Sequence, residues 1–477
     1  MRSSRVDADP VQRMSLVRQQ AGPFEEAFDG PGTPRPCYED VLDALSGCDL
    51  GDLSRRVTAG LEARGVTFGD GRDAEPFRFD PVPRVLTADE WEQLEAGLVQ
   101  RLRALNAFVV DVYGAGEIIG AGLVPERVVA SADHFEPAMR DVRPPPDVPI
   151  GVAGFDVVRN ETGDFVVLED NVRTPSGIAY AVAAREALDE HLPAPANRRA
   201  IDRAFDLLGS TLLAAAPDAT RRPTVVVLTD GPENSAWYEH RCVAERLGLP
   251  LVRPSELEVR GDELLARIDG RFRRVDVVYR RTDEDRLTGD DGEPTGVARL
   301  LLEPCRAGTL ACVNAFGTGV ADDKLTHAYV EAMIRFYLDE EPLLRSVPTY
   351  DLGDDEAREA LLARAHELVI KPRSASGGYG VVVGPHAGEH ELAAAVAEVR
   401  ERPEDFIAQE TISLSRHPTV VGGRLEPRHV DLRAFAFAHG DDASVLPGGL
   451  TRVALRRGSL VVNSSQQGGG KDTWVLE

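Results

Sequence analysis

An aspartate, a glutamate and an asparagine lie on neighbouring runs of alternating apolar residues between Gly151 and Gly177, in GVAGFDVVRNETGDFVVLEDNVRTPSG. Phe155, Val157, Phe165, Val167 and Leu168 on either side of Gly163 predict an antiparallel hairpin, because side chains alternate between faces and a tight turn sets the register. In such a hairpin Asp156, Glu169 and Asn171 can converge. Hard oxygen ligands of this kind suit Mg²⁺, which takes one or two carboxylates plus nucleotide phosphates. The chemistry on offer is metal-assisted handling of ATP. A surface hairpin with solvated acids has the same spacing, so the choice rests on what else the chain carries.

A second constellation follows downstream. Leu368-Val-Ile-Lys-Pro runs into Ser374-Ala-Ser-Gly-Gly-Tyr-Gly and out through Val381-Val-Val, a strand, glycine loop and strand. Glycines let backbone N–H groups approach phosphate oxygens, and Lys371 can neutralise the same phosphates. Alone, such a loop also fits an ordinary turn. Asp323-Lys324 is expected to open a helix after Phe316-Gly-Thr-Gly, and Phe406-Ile-Ala-Gln-Glu-Thr-Ile is a strand that turns polar at Gln409 and Glu410. Further on lie His429-Val-Asp-Leu-Arg, Gly448-Gly-Leu-Thr-Arg and Val462-Asn-Ser-Ser-Gln-Gln-Gly-Gly-Gly-Lys.

The elements that must position these groups are legible in outline. Residues 1–35 are polar and rich in Gly and Pro, as in a flexible or surface-draped arm, and 36–115 repeat apolar positions at helical spacing, with Thr87 and Glu90 set to cap a helix. A helix is expected from Arg198 to Ala215. Thr224-Val-Val-Val-Leu-Thr and Val275-Asp-Val-Val-Tyr read as buried strands alternating with helices, a parallel Rossmann-like sheet. Ligands of such sheets sit beyond the carboxyl ends of the strands, which here carry Glu233, Asn234, Tyr238, Arg280 and Arg281. These are substrate candidates, although ordinary loop residues would fill the same positions.

Taken in this order, the motifs resemble the ATP-grasp ligases, with an Asp-Lys pair, a Lys-Pro strand with its glycine loop, a Gln-Glu hinge, and a metal motif of Asp followed by Glu-x-Asn. The metal hairpin precedes the nucleotide lobe instead of ending it, so the chain is similar to the circularly permuted ATP-grasp family related to the synthetase domain of glutathionylspermidine synthase and to carboxylate–amine ligases that extend peptides. The resemblance implies an α/β (α+β) fold in six parts: the arm, 1–35; a helical module, 36–115; the metal-binding part of the catalytic lobe, 116–215; a Rossmann-like substrate domain, 222–315; the nucleotide lobe, 316–405; and the rest of the catalytic lobe, 406–477. It further implies ATP and Mg²⁺ as cofactors, with Asp156, Glu169 and Asn171 on the metal. Lys324, Lys371, Ser376, Gly377, Gly378, Tyr379, Gly380, Gln409, Glu410, Thr411 and Asn463 would hold the nucleotide. Where many relatives place an arginine two residues before the metal aspartate this chain has Gly154, leaving Arg173, Arg433 or Arg452 to stabilise the transferring group.

The reaction implied is amide formation from a small-molecule or peptide carboxylate and an amine through an acylphosphate, with Arg280 or Arg281 on the carboxylate and Glu233 or Glu239 toward the amine. Alternatives are a catalytically degenerate nucleotide-binding scaffold and a small-molecule phosphotransferase. His240, His327 and His429 show no metal spacing and read as structural. The net charge of −25 disfavours nucleic acid and anionic membrane surfaces, since a general phosphate-binding field needs clustered Lys and Arg. Five cysteines without ligand spacing read as reduced, no run of apolar residues suggests a membrane span, and a cytoplasmic protein is expected.

Overall fold

Alternation and the Gly163 turn produce the hairpin: Val152–Arg159 and Phe165–Asn171 pair antiparallel, with Asp156 opposite Glu169 and Gly154 opposite Asn171. The register slips after Asp156, so that Val157 faces Val167 and Leu168 is the bulged residue. This computed structural model describes residues 22–30, 32–69, 74–142, 148–217, 222–284, 286–289, 291–374, 379–440, 442–458 and 468–477. Ser376, Gly377, Gly378 and Asn463, all expected at the nucleotide, lie outside the described residues, as does the Ser464–Gln467 run.

The hairpin is the middle of a large mixed sheet. Its order runs Arg345–Ser346, Phe165–Asn171, Val152–Arg159, Arg424–His439, Leu450–Val453, Gly469–Val475, Arg84–Leu86, with Arg416–Val421 and Asp442–Val445 paired to the long strand Arg424–His439. The central pairing joins chain segments far apart in sequence, with Asp156 opposite Arg433. Strand alternation splits the apolar side chains between faces: Phe155, Val157, Leu432 and Ala434 enter one core, and Phe435, Phe437 and Trp474 the other.

A second sheet is parallel, Ala311–Val313, Val277–Arg281, Val225–Thr229, Leu251–Val252. Its third buried strand begins at Val277 and not at Val275. The expected strand is split because Arg271–Val275 closes an antiparallel meander with Leu257–Arg260 and Glu263–Ile268. A third sheet, Thr349–Asp351, Phe406–Glu410, Leu368–Pro372, Val382–Val383, has its own small core of Leu368, Ile370, Phe406 and Ala408 beneath flanking helices.

Three further expectations are corrected. The helix expected from Arg198 runs Ala204–Ala214, because the preceding residues are drawn to the sheet edge, where the Arg199 amide donates to the Val475 carbonyl at 2.7 Å. The end of the presumed arm is built in: Glu26 is buried, accepting from Arg84 and from the Ser415 hydroxyl, each at 2.6 Å. Asp323-Lys324 opens no helix. It lies between the short helix Gly319–Asp322 and the 3₁₀ turn Thr326–Tyr329, because the Asp323 carboxylate binds the Leu325 amide at 2.8 Å and the Arg373 guanidinium at 3.0 Å.

The helix Ala88–Val112 begins at the capping box read from Thr87 and Glu90, where each side chain bonds the other's backbone amide. Among the described residues no helix is long and apolar enough to cross a membrane.

Candidate functional site

The hairpin presents alternate residues to opposite faces, and each face has its own electrostatics. Asp170 is turned toward the long helix Ala88–Val112 and, with His327, borders only the smallest depression of the site. Its carboxylate takes Arg101 Nε at 2.5 Å and Nη2 at 2.7 Å, and lies 2.7 Å from His327 Nδ1. Burial works to raise that carboxyl, but Arg101 and His327 together hold it well below the usual carboxylate range. This buried triad ties the strand to the long helix, so that the flanking Glu169 and Asn171 face the cleft.

On the cleft side, Asp156 is only 1% exposed and is clamped by two arginines. Arg433 Nε and Nη2 reach its two oxygens at 2.7 and 2.8 Å, and Arg452 Nη2 approaches at 2.7 Å while also binding Asp431. Burial pushes the Asp156 carboxyl up, but Arg433 and then Arg452 more than offset it and hold it at about 2. Its register partner Glu169 is 33% exposed and lies 3.4 Å from Lys324 Nζ. Asn171 brings a buried Nδ2 that has no hydrogen-bond partner among the described residues.

Around these residues are three depressions that share lining residues. One, of about 290 Å³, is lined by Arg173, Arg433 and Arg452, by Asn171, and by Ser235 and Ala236 from the parallel-sheet side. A second, of about 60 Å³, holds Glu169, Asn171, Arg173, Lys324 and Arg373. A third, of about 10 Å³, lies between Glu169, Lys324, Lys371, Ile407 and Gln409. Asp322 borders all of them and fixes Arg173, accepting its amide at 3.1 Å and its Nε at 2.9 Å.

The nucleotide-side expectations divide. In the third sheet Lys371 faces Ile407, with Val369 opposite Gln409, and this face points away from the small core that holds Leu368 and Ile370. Lys371 Nζ donates to Gln409 Oε1 at 2.5 Å, and Gln409 Nε2 donates to Thr349 Oγ1 at 2.9 Å. Burial of the Lys371 ammonium lowers its pKa to about 8, against the pull of Glu169 and with the push of Lys324. The Glu410 and Thr411 side chains turn elsewhere: Glu410 accepts from Tyr350 at 2.9 Å and from Arg364 at 3.1 Å, and Thr411 donates to the Glu367 carbonyl at 2.6 Å. Tyr379 is largely exposed, and Gly380 (φ +71°) lies against the Pro372 ring.

The substrate-side expectations fare differently. None of Glu233, Asn234, Tyr238, Arg280 and Arg281 lines the 290 Å³ cleft. Arg281 is buried against Glu239 at 3.2 Å and donates to the Pro175 carbonyl at 2.8 Å, while Glu239 accepts the Gly177 and Ala179 amides at 2.9 and 3.0 Å. That ion pair shapes the loop entering the helix Ile178–Asp189, so neither partner faces the cleft. Asn234 binds Asp283 at 2.7 Å and the Ala236 amide at 2.9 Å, Arg280 is buried over the Phe316 ring, Tyr238 packs on Tyr180, and Glu233 is exposed. Their neighbours Ser235 and Ala236 reach the cleft instead, on the βα-loop that sequence reasoning selected.

Among the described residues no group of His, Cys, Asp or Glu is gathered as a metal cage. The donor set nevertheless fits magnesium, which needs few protein ligands. Glu169 offers an accessible carboxylate, and Asn171 on the same strand an amide oxygen that can join it. Asp156 is already neutralised by its arginines.

Comparison with known proteins identifies the family and the fold. A family model described as circularly permuted ATP-grasp type 2 matches residues 83–454. An uncharacterised protein of Mycobacterium tuberculosis (strain ATCC 25618 / H37Rv) is 44% identical over 462 residues, 95% of this chain and 84% of the relative. A Synechocystis sp. protein, also uncharacterised, is 43% identical over 477 residues, 97% and 99%. A Frankia alni protein provisionally named glutamate–cysteine ligase 2-3 is 45% identical over 481 residues, but this match takes in 98% of the chain and only 55% of that protein. Among solved structures, a glutathione synthetase-like effector from Globodera pallida, in its apo form, superposes with a TM-score of 0.57 over 89% of this chain and 96% of its own, at 12% identity, a likeness of fold.

Proposed function

Because this chain belongs to the circularly permuted ATP-grasp type 2 family, we propose that it is an ATP-dependent carboxylate–amine ligase that works through an acylphosphate and releases ADP. The observation that carries the reading is the meeting of Glu169, Asn171, Lys324 and Arg173 around one depression that opens beside Arg433 and Arg452. Cations for phosphate stand next to cations for a carboxylate, with an oxygen-rich edge between them.

In this reading the substrate carboxylate oxygen attacks the γ-phosphorus of ATP, the bond to the β-phosphate oxygen breaks, and ADP departs. The amine nitrogen then attacks the acyl carbon, inorganic phosphate leaves, and the nitrogen gives up a proton. Lys324 and Lys371 spread the phosphate charge, while Arg173 and Arg433 hold the carboxylate and the acylphosphate that replaces it. Magnesium, held by Glu169 and Asn171, would neutralise and orient the phosphate oxygens. Arg452 acts one step back, bridging Asp156 and Asp431 behind Arg433.

The relative provisionally named as a glutamate–cysteine ligase extends well beyond the matched region, so glutamate and cysteine are not carried over as substrates. The test is magnesium-dependent ADP release from the full chain against a panel of acids and amines, with Glu169→Ala and Lys371→Ala as controls. Release that needs an acid–amine pair and disappears in both variants is the expected result. ATP binding without ADP release for any pair would favour the scaffold reading.

A further inference from the structure

Phe68 and Phe77 lie outside the span matched by the family model, yet both line the 290 Å³ cleft that carries Arg173, Arg433 and Arg452. Phe68 belongs to, and Phe77 directly follows, the strand pair Thr67–Phe68 and Glu75–Pro76 of the N-terminal module, with Phe68 opposite Glu75. The pair is fixed to both walls. The Tyr180 hydroxyl donates to the Thr67 carbonyl at 2.9 Å, and the Gly69 amide donates to the Ser235 carbonyl at 3.3 Å, on the loop that forms the opposite side of the cleft.

The rings form a continuous apolar surface. Tyr180 lies 5.1 Å from Phe77 and 6.1 Å from Phe68, centroid to centroid. Because the Tyr180 hydroxyl is engaged by Thr67, the tyrosine offers its ring to the cleft and not its polar end. Space for Phe77 comes from Gly470, where a Cβ would sit 2.7 Å from the phenyl ring. Gly470 is the register partner of Arg452, and Leu450, also on the cleft wall, is the register partner of Arg433. Leu450 and the Phe77 ring over Gly470 thus set an apolar edge directly beside Arg433 and Arg452 on the same strands.

Resting on the ligase reading above, we infer that the N-terminal strand pair is the specificity wall of the acid site, and that the acid is a carboxylate carrying an apolar or aromatic side group. Arg173 and Arg433 take the carboxylate, and Phe68, Phe77, Tyr180 and Leu450 take the side group. An aromatic surface can also receive a cation. Here Leu450 adjoins the rings, and Asp322, the carboxylate on this cleft, is already taken by Arg173, so the apolar group is the better match.

The experiment is calorimetric titration of the full chain with N-acetyl-L-phenylalanine, N-acetyl-L-leucine, N-acetyl-L-alanine and N-acetyl-L-glutamate. The first two are expected to bind about tenfold or more tighter than the alanine derivative, the discrimination an apolar pocket gives for missing side-chain carbons. Phe68→Ala should erase most of that preference, Phe68→Leu should retain most of it, and both should keep wild-type affinity for a fluorescent ATP analogue. Phe68 is only partly buried, and thermal melts verify that both variants are folded. Equal affinity for all the acids, binding of none, or a preference that survives Phe68→Ala would overturn the inference. These titrations need no turnover, so a chain that selects apolar acids but never releases ADP sinks the ligase reading and leaves the wall standing.

Discussion

Asp156 and Glu169 are direct partners across the hairpin, yet their carboxylates have opposite circumstances: Asp156 is held at 2.7 and 2.8 Å by Arg433, while Glu169 opens to the cleft, 3.4 Å from Lys324. The two arginines link Asp156 and Asp431 into one group of four side chains, in which burial raises the Asp431 carboxyl against the pull of Arg452. Removing one cation leaves a buried anion without compensation. Arg452→Met is therefore expected to destabilise the chain by about 3–5 kcal/mol, the usual result of breaking a buried pair from one side. Urea unfolding measures it, and a loss below about 1 kcal/mol would mean that water reaches these carboxylates.

Glu169→Gln should separate chemistry from stability. The side chain is 33% exposed and its lysine contact is long, so its ion pair contributes at most about 1 kcal/mol to folding. As a proposed magnesium ligand, however, it should matter greatly for turnover. ADP release is expected to fall by about 100-fold or more, with a raised magnesium requirement and an almost unchanged melting curve. A variant that turns over normally at low magnesium would remove Glu169 from the metal site.

Glu239 presents the reverse case. Sequence reasoning set it toward the amine, but its carboxylate accepts the Gly177 and Ala179 amides and pairs with Arg281. Glu239→Ala strands a buried guanidinium and uncaps the helix Ile178–Asp189, and should cost about 3–5 kcal/mol of stability. Glu239→Gln keeps the shape and one acceptor, so a smaller loss is expected. Denaturant midpoints of the pair decide it, since a residue acting only on substrate would leave both variants as stable as the parent.

What the sequence made readable was local. The hairpin was visible because alternation, a Gly163 turn and paired acids all lie within a short stretch, and the capping box at Thr87 and Glu90 needed only adjacent residues. The permuted order was readable because each motif retained its own residues. What escaped reading depended on distant partners. Asp170 was unremarked between two proposed ligands, and nothing near it announces Arg101 or His327. Period-two alternation alone could have shown that it faces the other way. Arg281 was correctly placed at a strand's carboxyl end, but Glu239 claims it there. Phe68 and Phe77 looked like ordinary apolar residues of a helical module until Tyr180 and Ser235 brought them to the cleft.

The last prediction concerns Lys371, whose pKa burial lowers to about 8 from an ordinary 10.5. Its charged form is the one that neutralises phosphate, so raising the pH from 7 to 9 discharges it in the free protein. Nucleotide affinity should fall by about tenfold over that interval, because binding must then take up a proton. Lys371→Arg stays charged throughout and should flatten the profile. Folding stability runs the other way. The unfolded chain holds this proton up to pH 10.5 and the folded chain only to about 8, so within that window the unfolded state binds more protons and this group's contribution to stability rises with pH. Titration of a fluorescent ATP analogue between pH 6.5 and 9.5 at fixed magnesium, beside melting curves in the same buffers, measures both slopes. Opposite signs identify one lysine acting on both, whereas a wild-type affinity that does not change with pH would show that the Lys371 ammonium is not what meets the phosphates.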